Sequence, residues 1–84
     1  MGYYFITRPR TPNLGLGVKA SNESEAIFNA LGYLFQVEID TDIDTLKVER
    51  IRNFTPLFST DQEAKDRLDT GIPWYFTRAE VRLR

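Results

Sequence analysis

Two helix-start signatures divide this chain and limit what it can fold into. In Ser21-Asn22-Glu23-Ser24-Glu25, Asn22 stands three residues ahead of Glu25, and Thr60-Asp61-Gln62-Glu63 repeats the arrangement. In each, a short oxygen-bearing side chain accepts a first-turn N–H and the acid three residues on can return the bond. The early acids also suit the positive end of the helix dipole. After the first start, Ala26, Ile27, Ala30, Leu31 and Leu34 fall on one helical face, widened by Phe28 and Phe35; Glu25, Asn29, Gly32 and Gln36 form the polar arc. The spacing predicts a helix through Gly32 to about Phe35. The alternative is that Gly32 caps it and a strand begins at Tyr33. The second helix is short, with Ala64 and Leu68 as its buried spacing and Gly71 just beyond its end.

The segments around the helices read as strands. Tyr3–Thr7 is β-branched and aromatic and apolar on both faces, which suits an inner strand. Arg8-Pro9-Arg10-Thr11-Pro12-Asn13 is expected to be a loop, because its prolines and their restricted predecessors interrupt a ladder. Leu14, Leu16 and Val18 alternate with Gly15, Gly17 and Lys19, a second strand whose glycines permit a bulge or a close backbone approach. The two strands make an antiparallel hairpin. Leu46–Ile51 reads as a third strand with a bulge, 53–58 as irregular, and Trp74–Leu83 as one long last strand. Along it Tyr75, Thr77, Ala79, Val81 and Leu83 share the core face, and Trp74, Phe76, Arg78, Glu80 and Arg82 the other. The order β-β-α-β-α-β gives a single α+β domain over residues 1–84: an antiparallel sheet of about four strands covered by one main helix.

A chain of 84 residues with no cysteine has no disulfide to lean on, so its eleven aromatic residues must carry the core. Histidine is absent as well. The usual nucleophiles, neutral-pH bases and soft-metal ligands are therefore missing, and the expected function is non-enzymatic and free of cofactors. Serines have no histidine partner and no Ser-x-x-Lys, and Gly15-Leu16-Gly17 lacks the third glycine of a phosphate loop. The carboxylate pairs Glu23/Glu25 and Asp66/Asp69 sit at helix ends, where acids are ordinary. Asp40-Thr41-Asp42-Ile43-Asp44 opens like a calcium loop, but its sixth position is Thr45 rather than Gly and its twelfth is Ile51 rather than Glu, so no metal is expected. No apolar run approaches the ~20 residues needed to cross a bilayer. The start has neither a basic region nor a long apolar stretch. A soluble, cytoplasmic protein is the expectation, with no membrane contact.

Charge is unevenly spread. Residues 1–22 carry Arg8, Arg10 and Lys19 without an acid, 23–49 carry seven acids against Lys47, and 50–84 are again net basic, for −1 overall. Such polarity can steer a charged partner, or it can reflect solvated loops that folding intermixes. Candidate contacts are Arg8 and Arg10 on the proline-stiffened loop; Trp74, Phe76, Arg78 and Arg82 on the last strand; and Asp40, Asp42 and Asp44 as an imitation of phosphate charge. The arginine–aromatic row has the composition of a protein-interface hot spot, and equally of a single-stranded nucleic-acid platform. The competing structural reading buries Trp74 and Phe76 under the 53–58 segment. The expected partner is a protein, with a nucleic acid as the alternative; the chain would be a monomer or a homodimer through an edge strand.

Leu16-Gly17-Val18-Lys19-Ala20-Ser21-Asn22-Glu23-Ser24-Glu25-Ala26 resembles the strand, capped turn and Ala-rich helix of several small phage-encoded proteins, among them some anti-CRISPR inhibitors. The resemblance covers roughly a third of the chain and transfers no functional residue. What it implies is a β-β-α start, an absence of catalytic residues and action by occluding a site on a nuclease complex.

Overall fold

A computed structural model describes residues 1–36, 46–57 and 59–83. Strands β1 (Gly2–Arg8) and β2 (Thr11–Ala20) are followed by helix α1 (Glu23–Gln36), β3 (Lys47–Phe54), helix α2 (Asp61–Asp69), β4 (Trp74–Thr77), a 3₁₀ turn (Arg78–Glu80) and β5 (Val81–Leu83). All pairings are antiparallel in the order β4-β2-β1-β3-β5, so the doubly apolar first strand lies at the centre. The long last strand of the sequence reading is two strands on opposite edges of a five-stranded sheet. A flat five-stranded sheet would hold those edges roughly 19 Å apart, at about 4.8 Å per strand. The three residues of a 3₁₀ turn advance only about 6 Å. The sheet therefore curls, and the turn bridges its two edges at one end.

Both faces of the curled sheet are covered, where one main helix was expected. On one face Tyr4, Ile6, Leu16, Val18 and Ala20 meet Ala26 and Ala30 of α1, with Tyr33, Leu46, Val48 and Tyr75 packed alongside. On the other Phe5, Ile51, Phe54, Phe76 and Val81 meet Ala64 and Leu68 of α2. Phe54 joins Phe76 at 4.9 Å between ring centroids and Tyr3 at 5.8 Å, an aromatic row beneath α2. The core face of the last segment is thus reversed at Phe76, which is buried. The alanines of α1 let the helix approach the sheet closely, and Phe28, placed on the apolar arc by its spacing, instead stands 76 % exposed.

The first capping signature forms with its return bond, and the second forms through the Thr60 side chain. Asn22 Oδ1 accepts the Glu25 N–H at 2.9 Å, and Glu25 reaches back to the Ser21 N–H at 3.3 Å. Thr60 Oγ1 accepts the Glu63 N–H at 3.1 Å. α1 runs through Gly32, and α2 ends at Asp69, two residues before Gly71, whose φ of +88° is the left-handed conformation that favours glycine there. The Arg8–Asn13 loop is shorter than expected. Pro9 and Arg10 form the turn, Arg8 pairs with Thr11, and a register irregularity beside Arg8 takes up Pro12, which needs no ladder N–H there. β3 likewise continues to Phe54 past a bulge between Ile51 and Asn53.

Polar groups tie α2 to the sheet. Tyr3 donates its hydroxyl to Asp69 Oδ1 at 2.7 Å, and Lys19 Nζ lies 2.9 Å from the same oxygen. Asp61 accepts the Phe54 N–H at 2.7 Å and pairs with Lys65 at 3.0 Å. The Asp69 carboxyl is held below its usual range by Lys19 and then Tyr3. Burial acts to raise Asp61, but the Phe54 N–H and Lys65 together hold it low. The Tyr3 phenol is pushed up to about 12 by burial and by Asp69. Lowered carboxylates stabilise the fold above their ordinary values near 4, and that contribution is lost as pH falls through the lowered folded values. The raised phenol stabilises below its ordinary value near 10, and that contribution is lost as pH rises toward about 12. With no histidine in the chain, the melting temperature is expected to be flat from about pH 6 to 9 and to fall at both ends. Asp69→Asn should shrink both falls; a titration step near pH 6.5 would contradict this.

Candidate partner-binding surface

Trp74 opens β4 on the sheet edge, opposite Gly17 of β2, immediately after the Gly71-Ile72-Pro73 reversal. Because β4 has a strand neighbour on one side only among the described residues, the indole is left 46 % exposed. The guanidinium of Arg67, in the last turn of α2, lies 4.4 Å from its ring centroid. A planar cation over indole is an attractive contact, and it orients both groups. Pro56, Ser59, Phe76 and Glu80 complete a cleft around this pair. Glu80 Oε1 accepts both the N–H and the hydroxyl of Thr77, at 3.0 and 2.9 Å, and these bonds hold its carboxyl below the ordinary range. The cleft therefore offers an apolar floor with a fixed cation and a fixed anion.

Large apolar side chains continue outward from it. Leu57 is 74 % exposed and Ile72 60 %. Ile72 and Pro73 also form one wall of a broad groove whose other wall is Phe28, Asn29, Gly32 and Tyr33 of α1. Ile72 precedes Trp74 by two residues and faces Phe28 across this groove, while Leu57 follows Pro56 of the cleft, so exposed apolar side chains flank both hollows.

The residues proposed from sequence are dispersed. Trp74 belongs to this surface. Phe76 lines the cleft floor but is buried in the α2-side core. Arg78 is engaged internally: its Nε donates to the Pro12 carbonyl at 2.9 Å, its terminal nitrogens to Glu49 at 3.3 Å, and its guanidinium covers the Phe5 ring at 5.5 Å. It clasps the curled end of the sheet. Arg82 is exposed on β5, at the opposite edge from Trp74. The anticipated arginine–aromatic row is therefore divided between two edges. Arg10 is exposed at the hairpin tip. Arg8 is half-buried and lines a small hollow with Ile6, Leu14, Leu16 and Tyr75. Asp40, Asp42 and Asp44 lie outside the described residues. Arg67, Leu57 and Ile72 were missed: no local pattern marks them, and only the Gly71 reversal, which folds β4 back beside α2, brings Arg67 onto Trp74.

Fold and surface together define a class: a small α+β domain with a curled antiparallel sheet and an exposed indole–guanidinium surface. No family model, curated protein or solved structure matches the chain. No helix among the described residues is long and apolar enough to cross a membrane.

Proposed function

We propose that the chain is a protein-binding domain without catalytic activity that docks through the Trp74 surface. In its sharper form it is a phage or mobile-element inhibitor that occludes a host nucleic-acid-targeting complex. The observation that carries the reading is the stacked Trp74–Arg67 pair, half exposed in a cleft completed by Pro56, Ser59, Phe76 and Glu80. Tryptophan and arginine in a partly apolar cleft are the side chains that dominate binding energy at protein interfaces. The resemblance of residues 16–26 to phage-encoded inhibitors supports the sharper form. The unpaired side of β4 also makes that edge the place where a second copy would dock, which sedimentation at rising concentration reads out.

Trp74→Ala should leave the melting temperature nearly unchanged, because the ring is half exposed, and should weaken binding to the purified partner by about tenfold or more. Arg10→Gln is the comparison variant, expected to bind as the wild type. In cells carrying an active CRISPR nuclease, wild-type chain should restore transformation by a targeted plasmid and Trp74→Ala should not. Equal partner affinity for Trp74→Ala and wild type overturns the docking surface, and undiminished interference with wild-type chain overturns the inhibitor form.

A further inference from the structure

A second surface lies at the other edge of the sheet and on its other face. Arg50, Arg52 and Arg82 are all exposed. Ile51, Val81 and Leu83 turn toward α2, so by alternation Arg50 and Arg82 are on the α1 face. Among the described residues α1 rests chiefly over β1 and β2 rather than over β3 and β5. Arg82 pairs with Asn53, and Arg52 occupies the bulge between Ile51 and Asn53. Diagonal neighbours across antiparallel strands are about 7–8 Å apart, so the three arginines start from neighbouring backbone positions on the β3–β5 pair.

Arg50 is held in place. Its guanidinium lies 5.6 Å from the Tyr4 ring centroid and runs along the backbone at Gly2, where a Cβ would come within 2.7 Å of it. Gly2 thus provides the space that lets the guanidinium lie flat on β1. The ion pairs among the described residues engage Lys19, Lys47, Lys65 and Arg78, and none engages these three arginines.

We infer that Arg50, Arg52 and Arg82 form a docking surface for the phosphodiester backbone of a nucleic-acid strand, separate from the Trp74 surface. Charge complementarity and the composition of this edge select that occupant. Among the described residues no large exposed apolar side chain lies on β3 or β5; Met1, next to Gly2, borders the arginines, and Leu14, Phe28, Leu57, Ile72 and Trp74 lie on other elements. A protein interface wants an apolar centre, whereas phosphate contacts need only closely spaced cations. The inference goes beyond the protein-docking reading and stands without it: one domain would hold a protein at the β4 edge and a polyanion at the β5 edge.

Fluorescence anisotropy with a labelled fifteen-residue oligothymidine tests it. Three phosphate contacts on a single strand give a log–log salt slope of about −2, so affinity should fall about 20-fold between about 20 and 80 mM KCl. The double substitution Arg52→Gln/Arg82→Gln should bring the slope to about −0.7 with an unchanged melting temperature. Arg52→Lys/Arg82→Lys, which keeps the charges, should restore it. Trp74→Ala should bind the oligonucleotide as the wild type, which separates failure of this surface from failure of the other. No binding at low salt, a slope indifferent to the arginine substitutions, or polyglutamate competing as well as oligothymidine at equal charge would each overturn the inference.

Discussion

Phe5→Ala is expected to destabilise the domain by about 3–5 kcal/mol, enough to unfold a large share of the chain at room temperature given the usual total of about 5–15 kcal/mol. Phe5 is fully buried on the central strand. Its ring lies directly against the β2 backbone at Gly15, because on that face β2 presents glycine at positions 15 and 17 rather than side chains. Removing the ring leaves a void that neither glycine can fill, and the curl of the sheet limits how far β2 can collapse into it. It also strips the cover from beneath the Arg78 guanidinium, whose bonds to Pro12 and Glu49 close the end of the sheet. Urea denaturation read by tryptophan fluorescence measures the cost. A loss below about 1 kcal/mol at unchanged m would mean that the site refills and that the ring is not the keystone of the α2-side core.

The parts of the fold that depend on neighbours in sequence were legible in advance. Asn22/Glu25 and Thr60/Glu63 are bonds across three residues, and both helices begin where those pairs stand. Ala64, Leu68 and Gly71 follow from one helical period and one turn. What escaped was decided by contacts across the sheet. Trp74–Leu83 alternates as a single strand would, and that alternation masks the Thr77-x-x-Glu80 capping signature by which the two residues bind each other and turn the chain. That turn moves the following residues to the opposite edge, so the Trp74–Arg82 row breaks. α2 then covers the face on which Trp74 and Phe76 begin β4, so Phe76 becomes core. Phe28 failed in the opposite sense. Seven residues from Phe35, it satisfied the helical period, but α1 meets the sheet through Ala26 and Ala30, and Phe28 is left to solvent.

The same long-range logic redistributes the arginines. Arg78 and Arg82 are four residues apart in what reads as one row, yet one clasps the closed end of the sheet and the other stands exposed beside Arg52. Side chains suited to contact are suited equally to internal bracing. Which role each takes follows from whether a carbonyl or carboxylate lies within reach, as Pro12 and Glu49 do for Arg78. Composition announces that arginines and aromatics dominate this domain; only topology assigns them.

The glycines of β2 supply the sharpest test of that topology. Gly15→Ala is expected to destabilise by about 1–3 kcal/mol, although alanine is ordinarily the better strand residue of the two. Gly71 is the glycine with positive φ, so the backbone at Gly15 would accept a side chain, and space alone decides. A Cβ there would stand 2.5 Å from the Cε1 and Cζ of Phe5, inside any allowed contact. The ring that must yield is fully buried, so it cannot swing into solvent. If the clash is the cause, shortening the ring side chain should remove it. In Phe5→Leu/Gly15→Ala the second substitution should cost little beyond Phe5→Leu alone, with a coupling of about 1 kcal/mol or more between the sites. Strict additivity in the double-mutant cycle would place the cost of Gly15→Ala elsewhere, in the β2–β4 pairing rather than in the seat of the Phe5 ring.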